Sequence, residues 1–159
     1  MKNGLFYRCE KCGNLITIVL SGGGDLICCG QPMTLLVANS VDASKEKHLP
    51  VVLKNNGNLD VTIGSVLHPM TPEHYIEWIA LITEGKMEII YLKPGDEPKA
   101  HFLYSVSSEK KVVVYSDNDD EPVLNCEGSP CSFSYNELIE DAVSVYAYCN
   151  LHGLWQTTI

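Results

Sequence analysis

The stretch Tyr75-Ile76-Glu77-Trp78-Ile79-Ala80-Leu81-Ile82-Thr83, followed by Glu84-Gly85-Lys86 and then Met87-Glu88-Ile89-Ile90-Tyr91-Leu92, decides the fold of this 159-residue chain. Ile76, Trp78, Ala80 and Ile82 alternate with Tyr75, Glu77, Ile79 and Leu81, which is the two-residue period of a strand. A short turn signal then leads into a second β-rich run, so the pair reads as two strands folded back on each other. Similar runs recur at short intervals: Val51 to Leu53, Leu59 to Ile63, Ala100 to Ser105, Lys111 to Tyr115, Ala142 to Cys149 and Leu154 to Ile159. Asn55-Asn56-Gly57-Asn58 and Pro94-Gly95-Asp96 are further turn signals between them. Short strands at this spacing predict an all-β chain folded as an antiparallel sandwich. One helical turn is expected at Asn136 to Asp141.

The first 38 residues are expected to stand apart. Leu15 to Leu20 and Leu26 to Cys29 read as two strands joined by a hairpin or loop at Ser21-Gly22-Gly23-Gly24-Asp25. A module that small buries too little surface to fold unaided, and a bound metal would close the gap. Asn39 to Lys47 reads as the linker into a second domain covering residues 39–159.

The net charge is −9, with only 11 Lys and Arg, which argues against a nucleic-acid partner because a phosphate backbone needs a basic stripe. Between Ser107 and Asp141 nine acids face two lysines, so most of the negative charge sits in that segment. The N-terminal residues lack the apolar core of a secretory signal, and no apolar run is long enough for a membrane span. A cytoplasmic location is the expectation. In a reducing compartment clustered cysteines are metal ligands or redox groups more often than disulfides.

Seven Cys and five His are present, and they fall into sets. Cys9-Glu10-Lys11-Cys12-Gly13 is a Cys-x-x-Cys knuckle, and Cys28-Cys29 supplies an adjacent pair. Four thiolates suit tetrahedral zinc or iron. A structural zinc ribbon accounts for four cysteines about as well as anything else, although ribbons usually repeat the Cys-x-x-Cys spacing and this chain does not. The second set is His48, His68, His74, Cys149 and His152. Any one of these histidines is by itself ordinarily a surface or core residue. Four nitrogens and one sulfur together exceed a zinc tetrahedron and leave one position free at a six-coordinate iron. His101, Cys126 and Cys131 receive no role.

Cys9-x-x-Cys12 followed by Cys28-Cys29-Gly30-Gln31-Pro32-Met33 resembles the desulforedoxin module, which holds one iron by four cysteines. Glu46-Lys47-His48-Leu49-Pro50-Val51, His68-Pro69-Met70 through His74-Tyr75, and Cys149-Asn150-Leu151-His152-Gly153 resemble the superoxide reductases. Taken together the chain resembles the two-iron desulfoferrodoxins over residues 5–106 and 142–156; the acidic stretch at about 107–141 has no counterpart in the compact family pattern.

The resemblance implies an immunoglobulin-like sandwich and one-electron reduction of superoxide to hydrogen peroxide. It implies a first iron on Cys9, Cys12, Cys28 and Cys29, where zinc is an alternative. It implies a second iron with His48, His68, His74 and His152 equatorial and Cys149 axial. Glu46 resembles the glutamate that can occupy the sixth position of the ferric site. A rubredoxin-like protein is the implied electron donor, and a homodimer the expected assembly.

Chemistry supports the same picture. Ferrous iron with four neutral imidazoles and one thiolate has a formal charge of +1 and can attract an anion, and an axial thiolate donates electron density to the metal. Lys47 would add local attraction in an acidic protein. The competing functions are an electron-transfer or metal-binding module with a closed second iron, and superoxide dismutation, which a thiolate-ligated site should perform poorly.

Overall fold

The computed structural model describes residues 5–20, 22–41, 48–83, 85–104, 107–115, 131–139 and 143–159. Among these, every regular element is a strand, and none is a helix able to cross a membrane. Five short strands come first: β1 (Phe6–Arg8), β2 (Leu15–Thr17), β3 (Ile27–Cys28), β4 (Gln31–Pro32) and β5 (Thr34–Leu35). They form a sheet ordered β2-β1-β5 and a β3-β4 pair. Leu15 to Leu20 and Leu26 to Cys29, expected as two strands joined by a hairpin or loop, are joined by a loop and do not pair with each other. β2 pairs with β1 across the cysteine knuckle, and β3 pairs with β4. The knuckle itself supplies the reversal that brings β2 back onto β1, through Cys9 N–H to Asn14 O (2.8 Å) and Gly13 N–H to Cys9 O (2.9 Å). This leaves the glycine-rich segment as a loop between two sheets.

Seven strands build the sandwich: β6 (Pro50–Asn55), β7 (Asn58–Ile63), β8 (Ile76–Ile82), β9 (Met87–Tyr91), β10 (Lys99–Leu103), β13 (Ser144–Cys149) and β14 (Gly153–Thr158). One sheet has the order β10-β7-β6 and the other β14-β13-β8-β9, all pairs antiparallel. This three-plus-four arrangement is immunoglobulin-like. The β6–β7 reversal falls at the expected Asn56-Gly57, with Asn55 opposite Asn58. Pro94-Gly95-Asp96 carries the chain from one sheet to the other.

Leu59, Val61 and Ile63 on β7 and Ala100 and Phe102 on β10 meet Ile76, Ile79 and Leu81 on β8 and Val145, Ala147 and Cys149 on β13. Those residues fill the space between the sheets. Strict alternation on β8 breaks at a register shift opposite Tyr148 and Cys149, where Trp78 faces Tyr148 but Ile76 faces Cys149. The extra residue, Glu77, lets Ile76 as well as Ile79 point inward, as a β-bulge does.

β8 and β13 are buried on both faces because the N-terminal strands cover the outside of their sheet. There Phe6 joins Trp78, Ala80, Ile82, Tyr146, Tyr148 and Leu154 in a second apolar cluster. Its ring lies 5.2 Å from Trp78 and 5.3 Å from Tyr146, the latter edge-on. Trp78 in turn stacks on Tyr148 (5.4 Å, 4°). Arg8 donates a hydrogen bond to the Tyr148 hydroxyl and lies over its ring.

The described residues up to Tyr104 and from Val143 onward form one compact unit, and a hairpin of β11 (Ser107–Tyr115) and β12 (Cys131–Ile139) forms another. Nine positions pair, from Ser107 with Ile139 to Tyr115 with Cys131. The helical turn expected at Asn136 to Asp141 is therefore corrected over Asn136–Ile139, which is strand. Val112, Val113, Val114, Phe133 and Tyr135 are strong β formers, and nine successive cross-strand partners outweigh a weak helical preference. Cys131 opens β12; Cys126 lies outside the described residues.

Candidate metal centres

The first donor set is made by two tight reversals. In the knuckle, Cys9 directly follows β1 and Cys12 turns back toward it. Cys29 and Gly30 link β3 to β4, with Cys28 opposite Gln31, and both have positive φ (52° and 75°). That is the backbone of a two-residue type I′ turn, and it explains how adjacent cysteines face one point. The Sγ atoms of Cys9, Cys12, Cys28 and Cys29 all lie within 4.8 Å of one another. Cys12 and Cys28 are 3.6 Å apart, and Cys28 and Cys29 3.9 Å. Four sulfurs about 2.3 Å from a tetrahedral ion would be separated by roughly 3.8 Å, so the set fits one ion.

Electrostatics agree. The Cys12 backbone N–H, directed at Cys9, is the main influence bringing the Cys9 thiol down to about 7. The neighbouring Cys12 and Cys28 side chains push Cys29 up to about 12. The protein alone thus favours one thiolate and resists more, and a cation is what allows four thiolates to coexist.

The second set is assembled from three places. His48 lies just before β6. His68 and His74 sit on the β7–β8 connection. Cys149 ends β13, and His152 closes the three-residue loop into β14, where Gly153 takes φ 75° opposite Cys149.

The four imidazoles form a ring. Centroid separations run 4.5 Å from His48 to His68, 4.5 Å to His74, 4.8 Å to His152 and 4.6 Å back to His48. Neighbouring planes are steeply inclined, between 65° and 79°, while His48 and His74, across the ring, are 5.7 Å apart at 35°. Donor atoms of His48, His68, His74 and Cys149 lie within 4.8 Å of one another. His152 joins through Nδ1, 3.1 Å from His74 Nε2 and 3.5 Å from Cys149 Sγ. Two nitrogens at right angles, about 2.1 Å from a shared ion, would stand roughly 3.0 Å apart.

His68 shows what the site is built to accept. Its Nδ1–H donates to the Pro69 carbonyl (2.6 Å), which leaves Nε2 as the lone-pair nitrogen. That Nε2 is buried with no hydrogen-bond partner among the described residues. Burial brings the His68 pKa down to about 4, so the imidazole is neutral at pH 7, as a ligand must be. An orphaned, neutral, buried nitrogen aimed into a ring of three other imidazoles fits a metal ion.

His48, His68 and Cys149 are buried, whereas His74 and His152 are half-buried. The site is therefore closed on its sandwich side and reachable from the loop side. His48 lies flat on Trp155 (4.7 Å, 15°), and Thr157 donates to Pro50 O (2.7 Å), tying β14 to the start of β6 beside His48.

Glu46 and Lys47 lie outside the described residues. His101, left without a role, is exposed on β10 and contacts Asp60 across the sheet at 2.6 Å. Two site residues were missed: Trp155 and Asn150, whose side chain bonds both sides of His74. Asn150 stands inside the Cys149-to-Gly153 motif, but its side-chain bonds reach backbone 75 and 77 positions away, and no local signal in the sequence marks them. None of Cys9, Cys12, Cys28, Cys29 and Cys149 is in a disulfide.

Residues 2–36 match the family described as desulfoferrodoxin, N-terminal domain, and residues 40–119 match the family described as desulfoferrodoxin. A desulfoferrodoxin homolog of Archaeoglobus fulgidus is 40% identical over 151 residues, covering 95% of this chain and 94% of the relative. The desulfoferrodoxin of Nitratidesulfovibrio vulgaris is 37% identical over 150 residues, covering 94% and 92%. The crystal structure of the superoxide reductase from Treponema pallidum aligns with a TM-score of 0.61 at 25% identity over 99% of both chains. With two family matches that together span most of the chain and full-length relatives at this identity, the chain belongs to the desulfoferrodoxin family.

Proposed function

We propose that this chain is a superoxide reductase. The observation that carries the reading is a ring of four imidazoles with a buried thiol beside it, closed on the sandwich side and half-open at His74 and His152. When bound there, iron supplies one-electron reduction: superoxide, one electron and two protons give hydrogen peroxide. The chain's own groups do the rest. Neutral imidazoles hold the ion without cancelling its charge, and Cys149 adds a single negative donor. The half-open side admits both the anion and the protons from water. Lys47 raises the local concentration of superoxide. Glu46 serves the resting ferric state.

In this reading His48, His68, His74, His152 and Cys149 ligate the catalytic iron, and Cys9, Cys12, Cys28 and Cys29 the other. The division at residues 1–38 and 39–159 separates a four-cysteine module from the reductase domain. Four thiolates would leave an ion held by Cys9, Cys12, Cys28 and Cys29 negatively charged and closed to anions, so this set would serve as electron reservoir or structural staple. A rubredoxin-like donor, a cytoplasmic setting and a homodimer complete the proposal.

Stoichiometry tests the activity. Reduction yields one hydrogen peroxide per superoxide consumed, whereas dismutation yields half as much with dioxygen as the other product. With the metal-loaded protein, excess reductant and pulse-generated superoxide, a ratio near one is expected, and a ratio near one half would reject reduction. Replacing Lys47 by Ile should slow the encounter and flatten its salt dependence, since screening acts over a Debye length of about 10 Å at 0.1 M. An unchanged rate across the salt range would remove Lys47 from the mechanism.

A further inference from the structure

We propose that Asn150 is a positioning residue that locks the two ligand-bearing loops of the second centre together and so sets the geometry of His74 relative to Cys149 and His152. The inference rests on the assignment of that centre under Proposed function.

The loops have no covalent reason to stay in register. His74 belongs to the connection into β8, and Cys149 and His152 to the far hairpin between β13 and β14. Asn150 joins them by three bonds. Its side-chain Oδ1 accepts the Tyr75 N–H (2.9 Å), and its Nδ2 donates to the Glu73 carbonyl (2.9 Å). Its own N–H donates to Tyr75 O (3.1 Å). The two side-chain bonds therefore straddle His74, one on the residue before it and one on the residue after.

His74 cannot slip within its own loop either. Thr71 and His74 exchange backbone N–H to O bonds at 3.0 and 3.1 Å, and the Thr71 hydroxyl accepts the His74 N–H at 3.2 Å. Residues 71–74 are thus a tight turn, and a force applied at Glu73 and Tyr75 moves the imidazole with it. Through this turn one carboxamide, one residue from Cys149 and two from His152, fixes where His74 Nε2 meets His152 Nδ1.

An Asn that merely favours a loop bonds its own backbone two residues on. Asn150 instead reaches backbone 75 and 77 positions away in sequence. Groups that orient ligands in this way ordinarily change metal affinity by about 10- to 100-fold when removed.

The test compares iron-loaded parent, Asn150→Ala and Asn150→Asp. Three quantities are read: the thiolate-to-iron charge-transfer band of the second centre, the rate of iron loss from that centre to a chelator, and the absorption of the four-cysteine iron as an internal control. Asn150→Ala should shift the charge-transfer band and speed iron loss about tenfold or more, while the four-cysteine absorption stays unchanged. Asn150→Asp keeps the acceptor for Tyr75 N–H but turns a carboxylate toward the Glu73 carbonyl, and should shift the band while remaining folded. Parental band position and iron-loss rate in Asn150→Ala would overturn the proposal. If that variant fails to fold, an unchanged band in Asn150→Asp would overturn it. A parent protein without any second-centre band would overturn both the proposal and the centre itself, which keeps the two failures distinct.

Discussion

Replacing Phe6 by Ala should weaken the whole main unit rather than the N-terminal strands alone. Phe6 is 2% exposed and its ring is held between Trp78 and Tyr146 on the outer face of the β14-β13-β8-β9 sheet. Truncating a buried Phe to Ala costs about 3–5 kcal/mol, since it loses both transfer free energy and packing. Aromatic pairing accounts for about 0.5–1.5 kcal/mol of that for each ring. With a urea dependence of about 2 kcal/mol per molar, the midpoint should fall by roughly 2 M. Tryptophan fluorescence follows the sandwich, because Trp78 and Trp155 both lie in it, and the absorption of the four-cysteine centre follows the N-terminal strands. Both signals should move together. Phe6→Leu, which keeps most of the volume, should move them by less than half as much. A fluorescence midpoint that stays within a few tenths of a molar of the parent would refute the argument that Phe6 couples the two layers.

Cys149→Ser should retain the sandwich and lose the visible thiolate-to-iron band together with most superoxide reduction; an unchanged spectrum would exclude Cys149 as a ligand. Asp60, whose carboxyl is held below the usual range first by its hydrogen bond from His101 and then by Asn55, should titrate higher in His101→Ala. A depressed folded pKa gives stability that is present above the unfolded pKa and lost as pH falls through the folded one, so the variant should lose less on acidification. Carboxyl NMR titration checks this, and an unmoved Asp60 curve would show that His101 is not the cause.

Most of the sandwich strands could be read from alternation and from turns such as Asn56-Gly57, because those signals are local. What escaped depended on partners far along the chain. The pairing of β2 with β1 follows from the knuckle closing on itself, whereas the glycine-rich segment nearby left both a hairpin and a loop open. The inward turn of both Ile76 and Ile79 needs a bulge that only the Cys149 strand imposes. The apolar outer face of β8 makes sense once Phe6 is seen lying on it. The donor residues could be grouped from the sequence because Cys and His in motif spacing are chemically scarce. Asn150 and Trp155 could not be singled out that way, since one acts through backbone bonds to a distant loop and the other through the flat face of His48.

The order in which the donors occur along the chain has a consequence for biosynthesis. Synthesis runs from the N-terminus, so Cys29 completes the four-thiol set long before Cys149 and His152 emerge. A growing chain that can already chelate through soft sulfur ligands meets the cell's metal pool with its second donor set still lacking Cys149 and His152, two of its five donors. His48, His68 and His74 alone offer three nitrogens, a set suited to zinc or copper as well as iron. In the proposed assignment, loading of the second centre would be a race between the last hairpin and premature capture by a competing ion. Growth under high zinc should therefore raise the zinc content of both centres, the first because four thiolates accept zinc as readily as iron and the second because three of its histidines precede its last two donors.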